Sequence, residues 1–206
     1  GEDAEVTLIK SADPNSYIQM DYEWGKDDSA YFYAYKKLFV DRKSFKMLND
    51  YFSLDEDSAY YHSSKTFSSF EANVGTLKKI DRYLVYDDKN IYQLTTYYRG
   101  DNILELKAVP YSDISKVEFL EEVYIISDSN VYFKGFQLSE ADDQTFEALG
   151  GYYSKDKNNV YFEDQIIPGG DAETFHFSKD NYQYTDKNGV YEQGKLVETT
   201  AEPTSL

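Results

Sequence analysis

Six tyrosines, Tyr31, Tyr60, Tyr92, Tyr132, Tyr161 and Tyr191, stand 29, 32, 40, 29 and 30 residues apart, and their surroundings recur with them. Nine residues before each anchor comes Tyr22, Tyr51, Tyr83, Val123, Tyr152 or Tyr182. Immediately before it comes a small or β-branched residue: Ala30, Ala59, Ile91, Val131, Val160 or Val190. A period of roughly 20–50 residues marks tandem supersecondary units that cannot bury an apolar face alone and do so against their neighbours.

The local chemistry of each unit is that of a β-hairpin. An aspartate lies five residues before the anchor in four copies (Asp55, Asp87, Asp156, Asp186), and one place later in copies one and four (Asp27, Asp128). Ser29, Ser58, Asn90, Asn130, Asn159 or Gly189 follows it, two before the anchor. Such residues bond nearby backbone and tolerate positive φ, so between aromatic and β-branched runs they make the turn. Pairing about that turn sets each anchor opposite the residue seven before it. It also makes the aromatic pairs Phe52 with Tyr61, Tyr124 with Phe133 and Tyr153 with Phe162, each worth roughly 0.2–1 kcal/mol. The same rule sets Trp24 opposite Tyr31.

The other hairpin face carries the repeated tyrosines, so a middle hairpin needs cover on both sides. The end copies are more polar, with Glu23 and Gly25 in the first and Gln183, Thr185 and Glu192 in the last, as terminal units of a stack should be. The phrases Asp41 to Phe45, Asp142 to Phe146 and Asp171 to Phe175 each place a capping aspartate four residues before a phenylalanine, which predicts a short helical turn. The expected fold is mainly β: six tandem β-hairpin repeats with short helical turns in an open, solenoid-like stack, a small β-propeller being the alternative. The expected layout is a single repeat domain over 1–206, with a leader at 1–15, repeats near 22–50, 51–82, 83–122, 123–151, 152–180 and 181–197, and a polar tail at 198–206.

The tracts Asp156-Lys157-Asn158-Asn159-Val160-Tyr161-Phe162, Gly170 to Phe175 and Asp186-Lys187-Asn188-Gly189-Val190-Tyr191 resemble the DKNYY family of bacterial proteins, most clearly over 123–197 and more faintly over 22–92. The resemblance implies repeat architecture and an exported or surface setting. It supplies no catalytic residue, because the family has no assigned function. Copies one and two lack the Lys-Asn pair.

Charge and composition exclude several functions. The chain has 38 acidic and 21 basic residues, a formal charge of −17 spread along its length, which disfavours nucleic acid as a partner. It has no cysteine, so disulfides and thiolate chemistry are absent. Apolar runs stay as short as Val123 to Ile126, far from the roughly 20 residues that a membrane-spanning helix needs. A start at Gly1 instead of Met fits either a processed export signal or a trimmed expression product, and the expectation is an exported, periplasmic or cell-surface protein, lipid-anchored in its full-length form.

No residue is singled out as catalytic. His62 and His176 are the two histidines, and neither lies in a recognisable catalytic phrase. His62 falls two after an anchor, in a slot filled elsewhere by Tyr33, Leu94, Lys134, Glu163 and Gln193, which predicts a structural or solvent position. The acidic turns Asp55-Glu56-Asp57 and Asp186 to Gly189 invite calcium, but they lack the Gly and bidentate Glu of an EF-hand, so no metal site and no cofactor is assigned.

The binding candidates are Tyr97, Tyr98, Arg99 and Asp101, within the extra length of copy three between Thr95 and Glu118, and Trp24, the single tryptophan. The expected function is a non-enzymatic, exported bacterial interaction module for a protein or glycan partner. A carboxylate-dependent hydrolase of a glycan or peptide and a structural surface spacer are the alternatives.

Overall fold

The computed structural model describes residues 9–63, 65–98 and 101–199. They form six four-stranded antiparallel sheets in tandem, the strands of each following one another in chain order. Sheet one comprises Ile18–Gln19, Trp24–Lys26, Tyr31–Tyr33 and Lys36–Lys37; sheet two comprises Lys46–Met47, Phe52–Leu54, Ala59–Ser63 and Thr66–Phe70. Sheet three comprises Lys78–Lys79, Leu84–Tyr86, Asn90–Tyr98 and Asp101–Pro110, and sheet four Glu118–Leu120, Tyr124–Ser127, Asn130–Phe133 and Phe136–Leu138. Sheet five comprises Glu147–Gly150, Tyr153–Lys155, Val160–Phe162 and Gln165–Ile166, and sheet six His176–Ser178, Gln183–Asp186, Gly189–Glu192 and Lys195–Thr199. Among the described residues no sheet closes into a barrel. The chain divides into two compact units, 1–94 and 95–206.

The hairpins expected from the sequence form the two middle strands of sheets two to six. Phe52 faces Tyr61, Tyr124 faces Phe133 and Tyr153 faces Phe162, with the anchors Tyr60, Tyr132 and Tyr161 opposite Ser53, Ile125 and Ser154. Copy one departs by one residue. Its pairs are Lys26 with Tyr31, Gly25 with Phe32 and Trp24 with Tyr33, so Trp24 does not face Tyr31 and the anchor position belongs to Phe32. The cause is the turn. Asp27 N–H donates to the Ala30 carbonyl, as Asp55 N–H does to Ser58 and Asp87 N–H to Asn90, which makes Ala30 the equivalent of those residues and leaves the copy-one anchor one position further on.

The expected helical closures are single turns, and each leads into the next sheet. The N–H of Phe45 bonds the Asp41 carbonyl and that of Phe175 the Asp171 carbonyl, both at 2.9 Å, one helical turn that does not propagate. Among the described residues the one assigned helix is the 3-10 turn Ile114–Lys116, capped by Asp113. The extra length of copy three is a longer hairpin, its strands running nine and ten residues.

Consecutive sheets pack face to face in each unit, as an open stack requires. In the first, Trp24, Tyr33 and Leu38 of sheet one and its exit meet Phe45 of the lead-in turn and Tyr60 of sheet two. In the second, Tyr124, Val131 and Phe133 of sheet four meet Tyr161 of sheet five, and Tyr153, Val160 and Phe175 meet Tyr191 of sheet six. A middle sheet is thereby apolar on both faces, which its aromatic and β-branched content supplies.

Candidate functional site

The anchor tyrosines are buried, and what their hydroxyls do explains the fixed spacing to the turn aspartates. Tyr60, Tyr92, Tyr161 and Tyr191 donate to Oδ2 of Asp55, Asp87, Asp156 and Asp186 at 2.8, 2.8, 2.8 and 3.0 Å. The same oxygen accepts the backbone N–H of the preceding lead-in turn, from Asp41, Asn73, Asp142 and Asp171 at 2.9, 2.9, 2.9 and 2.7 Å. Oδ1 caps the hairpin turn, accepting for example Asn158 N–H and Asn159 N–H, both at 2.7 Å. One buried carboxylate thus ties a turn, a strand and the entry to its sheet.

Copy one keeps the backbone part of this staple, with Asp13 N–H on Asp27, but Phe32 brings no hydroxyl. Copy four has Ser127 at that position, donating to the Pro110 carbonyl. Burial opposes ionisation of Asp55, Asp87 and Asp156, but the donors outweigh it and all three titrate below the ordinary carboxylate range. Burial, then the carboxylate acceptor, pushes Tyr92 up to about 12. These acids are structural acceptors, and among the described residues no three acidic or histidine side chains are grouped to hold a metal ion.

Clefts open beside the sheets in both units, and among the described residues one in each is the roomiest. In unit two a cleft of about 600 Å³ is walled by Tyr152, Tyr153, Phe162 and Ile167, with Glu163, Gln193 and Lys195 as polar lining. In unit one a cleft of about 540 Å³ lies between the turn Asp21 to Trp24 and the turn Met47 to Asp50, with His62 at its floor. Both turns are fixed by their first polar residue. Asp21 Oδ1 accepts Glu23 N–H and Trp24 N–H at 2.9 and 2.8 Å, and Asn49 Oδ1 accepts Tyr51 N–H and Phe52 N–H at 3.0 and 2.9 Å.

His62 is the unusual group. It is 1% exposed, and its ring lies edge-on to Trp24 at 4.9 Å and parallel to Phe67 at 6.1 Å. Among the described residues neither ring nitrogen makes a hydrogen bond; the Phe52 carbonyl is near enough to favour the charged ring without completing one. Burial pulls its pKa down to about 4, so the imidazole is neutral near pH 7. His62 N–H bonds the Tyr51 carbonyl as Ala34 N–H bonds Glu23, so the repeat slot of His62 is held in copy one by Ala34, not Tyr33. That slot is buried in copy two, and the solvent position allowed by its variability is not where His62 lies.

Around the unit-one cleft the surface is aromatic and acidic. Tyr22 is 87% exposed and Tyr83 40% exposed, and Tyr51 stacks on Tyr83 at 5.5 Å. Arg82 lies over Tyr83 and pairs with Asp50.

A family comparison assigns the chain. The DKNYY family model matches residues 69–195, more than half of its length. The chain belongs to the DKNYY family. No curated protein and no solved structure matches it. The DKNYY match contains the staples of Asp87, Asp156 and Asp186 and the unit-two cleft, and it begins after His62.

Of the binding candidates read from this DKNYY sequence, Trp24 is 5% exposed and packed against Tyr33, Phe45 and Phe67, so it serves first as core and only its margin reaches the cleft. Tyr97 and Tyr98 lie in the strand Asn90–Tyr98 and Asp101 opens the strand Asp101–Pro110, while Arg99 lies outside the described residues. His176 is exposed, with Nδ1 2.8 Å from the Thr174 carbonyl. Sequence reasoning missed the cleft because its lining comes from two neighbouring repeats and from a slot that varies between copies. The staples left a visible signal, the constant interval of five from aspartate to tyrosine, read there as turn chemistry alone.

Proposed function

We propose that this DKNYY protein is a non-enzymatic, exported interaction module that holds a glycan at the unit-one cleft. The observation that carries the reading is the cleft itself. An exposed tyrosine ring, Tyr22, and the carboxylates of Asp21, Glu23 and Asp50 share one concave space, within the roughly 300–1,000 Å³ usual for small-ligand sites. Aromatic faces stack on the C–H faces of sugar rings, and carboxylates accept hydroxyl hydrogen bonds.

The hydrolase alternative requires a carboxyl group held protonated to act as the acid. The carboxylates with displaced ionisation here, such as Asp55, Asp87, Asp156 and Asp171, are displaced downward, which favours binding over catalysis.

The test is binding of the whole chain to an array of bacterial polysaccharides, repeated with Tyr22→Ala. Retention of a defined glycan by the native chain, lost in the variant without a change in Tm, supports the reading. Absence of any glycan binding overturns it. Export is part of the proposal and is checked by fractionating cells that make the full-length protein; recovery in the cytoplasm alone would remove it.

A further inference from the structure

The unit-one cleft has a chemical bias that goes further than a general sugar site. Its charged lining is Asp21, Glu23 and Asp50, and among its lining residues none is Lys or Arg. Each acid has one oxygen already engaged: Asp21 Oδ1 by turn N–H groups, Glu23 Oε2 by the Tyr33 hydroxyl at 2.9 Å, and Asp50 Oδ2 by Arg82. The second oxygen of each has no hydrogen-bond partner among the described residues. Beneath them lies His62, buried and with both nitrogens unpartnered.

Buried polar atoms are nearly always satisfied, and one that is not asks for an explanation. A ring at this position in an aromatic cluster would pack as well without nitrogens, so the imidazole costs stability where it stands. A ligand that brings hydrogen-bond donors and a positive charge into the cleft lowers that cost, by satisfying the acceptor nitrogen of the neutral ring, and matches the acids at once.

We propose that the cleft recognises a protonated primary amine carried on a sugar ring, that is, an amino-sugar residue of a glycan. This rests on the glycan reading above and adds the group that is read. An ammonium carries three N–H donors, enough for two of the carboxylate oxygens and the acceptor nitrogen of His62. The charge-assisted bonds to carboxylates are the strong kind, and exclusion of water by the sugar strengthens them further. Tyr22, exposed at the rim, supplies a ring face for the sugar body. An N-acetylated sugar of the same shape brings neither the charge nor the three donors. A lysine side chain carries the same ammonium, but it presents no ring to Tyr22 and would leave much of a 540 Å³ cleft unfilled.

Calorimetric titration of the whole chain at pH 6 with tri-glucosamine, its fully N-acetylated counterpart and tri-lysine separates the possibilities. The expected result is that tri-glucosamine binds at least tenfold more tightly than either of the others. Glu23→Gln and His62→Phe each weaken it at least tenfold, His62→Phe with Tm unchanged or raised. A control lowering the charge elsewhere, Glu173→Gln with Asp180→Asn, leaves the affinity as it was.

Equal affinity for the amine and N-acetyl trimers would overturn the amine and leave the glycan reading standing. Failure of both sugars would overturn the two together. Tighter binding of tri-lysine would overturn the sugar in favour of a basic protein partner. Native-like binding by His62→Phe would remove the imidazole from the site, and loss of binding in the charge control would reduce the effect to the overall negative field.

Discussion

Replacing Asp156 tests whether the repeat is held by its buried carboxylates. The side chain is 3% exposed and accepts four hydrogen bonds, from Asn158 N–H, Asn159 N–H, Asp142 N–H and the Tyr161 hydroxyl. Asp156→Ala orphans all four donors. The three backbone groups are partly buried and can recruit water, costing about 1 kcal/mol each, while the buried hydroxyl costs about 1–2, for a total of about 4–5 kcal/mol. Tyr161→Phe removes one donor and leaves the carboxylate its other three, a loss of about 1–1.5 kcal/mol. Asp156→Asn keeps an acceptor for the turn but turns an NH₂ toward Asp142 N–H and the Tyr161 hydroxyl, and falls between, at about 2–3 kcal/mol.

The double variant Asp156→Ala with Tyr161→Phe should cost less than the sum of the singles, because the tyrosine no longer has a hydroxyl to orphan. Tyr132→Phe is the internal control. That ring is also buried but has Ser127 in place of the aspartate, so its loss should stay within about 0.5 kcal/mol. Urea denaturation followed by near-ultraviolet circular dichroism gives the free energies, and hydrogen exchange at the amides of Asn158 and Asn159 locates them. A cost below about 1 kcal/mol for Asp156→Ala, with those amides still protected, would refute the reasoning.

Three further outcomes follow from the same structure. His62, held neutral with a pKa near 4 against an ordinary 6.5, makes stability complete above about pH 6.5 and lets it fall as the pH drops toward 4. The loss amounts to about 3 kcal/mol. Denaturation at pH 7 and pH 4.5 should show it in the native chain and much less in His62→Phe, and an equal loss in both would contradict the assignment. Below that range the depressed carboxylates of Asp55, Asp87 and Asp156 take over. Their contribution is present above the unfolded value near 4 and is lost as the pH falls through their lower folded values, so acid unfolding of Asp156→Asn should be shallower than that of the native chain. Gly189 has φ of +151°, and a Cβ there would lie 1.8 Å from the Glu198 carbonyl oxygen. Gly189→Ala should therefore unpair the strand Lys195–Thr199, read as lost amide protection across it; native-like protection would show that the strand accommodates the methyl.

The repeat count, the hairpins and their aromatic pairs were legible in the chain because strand pairing about a short turn is local. Side-chain alternation of two and a fixed turn length leave little choice of register. The one register that misled was in copy one, where the turn Asp27 to Ala30 has the same length as Asp55 to Ser58 but a tyrosine, Tyr31, stands one place before the true anchor position, which Phe32 holds. The interval from Asp156 to Tyr161 was likewise written in the sequence, but the contact became readable only once the strand bent the tyrosine hydroxyl back onto the turn.

Trp24 and His62 mark the limit. Composition singled out the tryptophan and the variable slot left the histidine either structural or at solvent, and packing between sheets one and two set both against Phe67, with His62 buried and the margin of Trp24 on the cleft. Burial is a property of what a neighbouring repeat lays on a residue. The chain by itself determined how each hairpin folds, and only the stacking of one sheet on the next decided which polar groups were left facing a cleft.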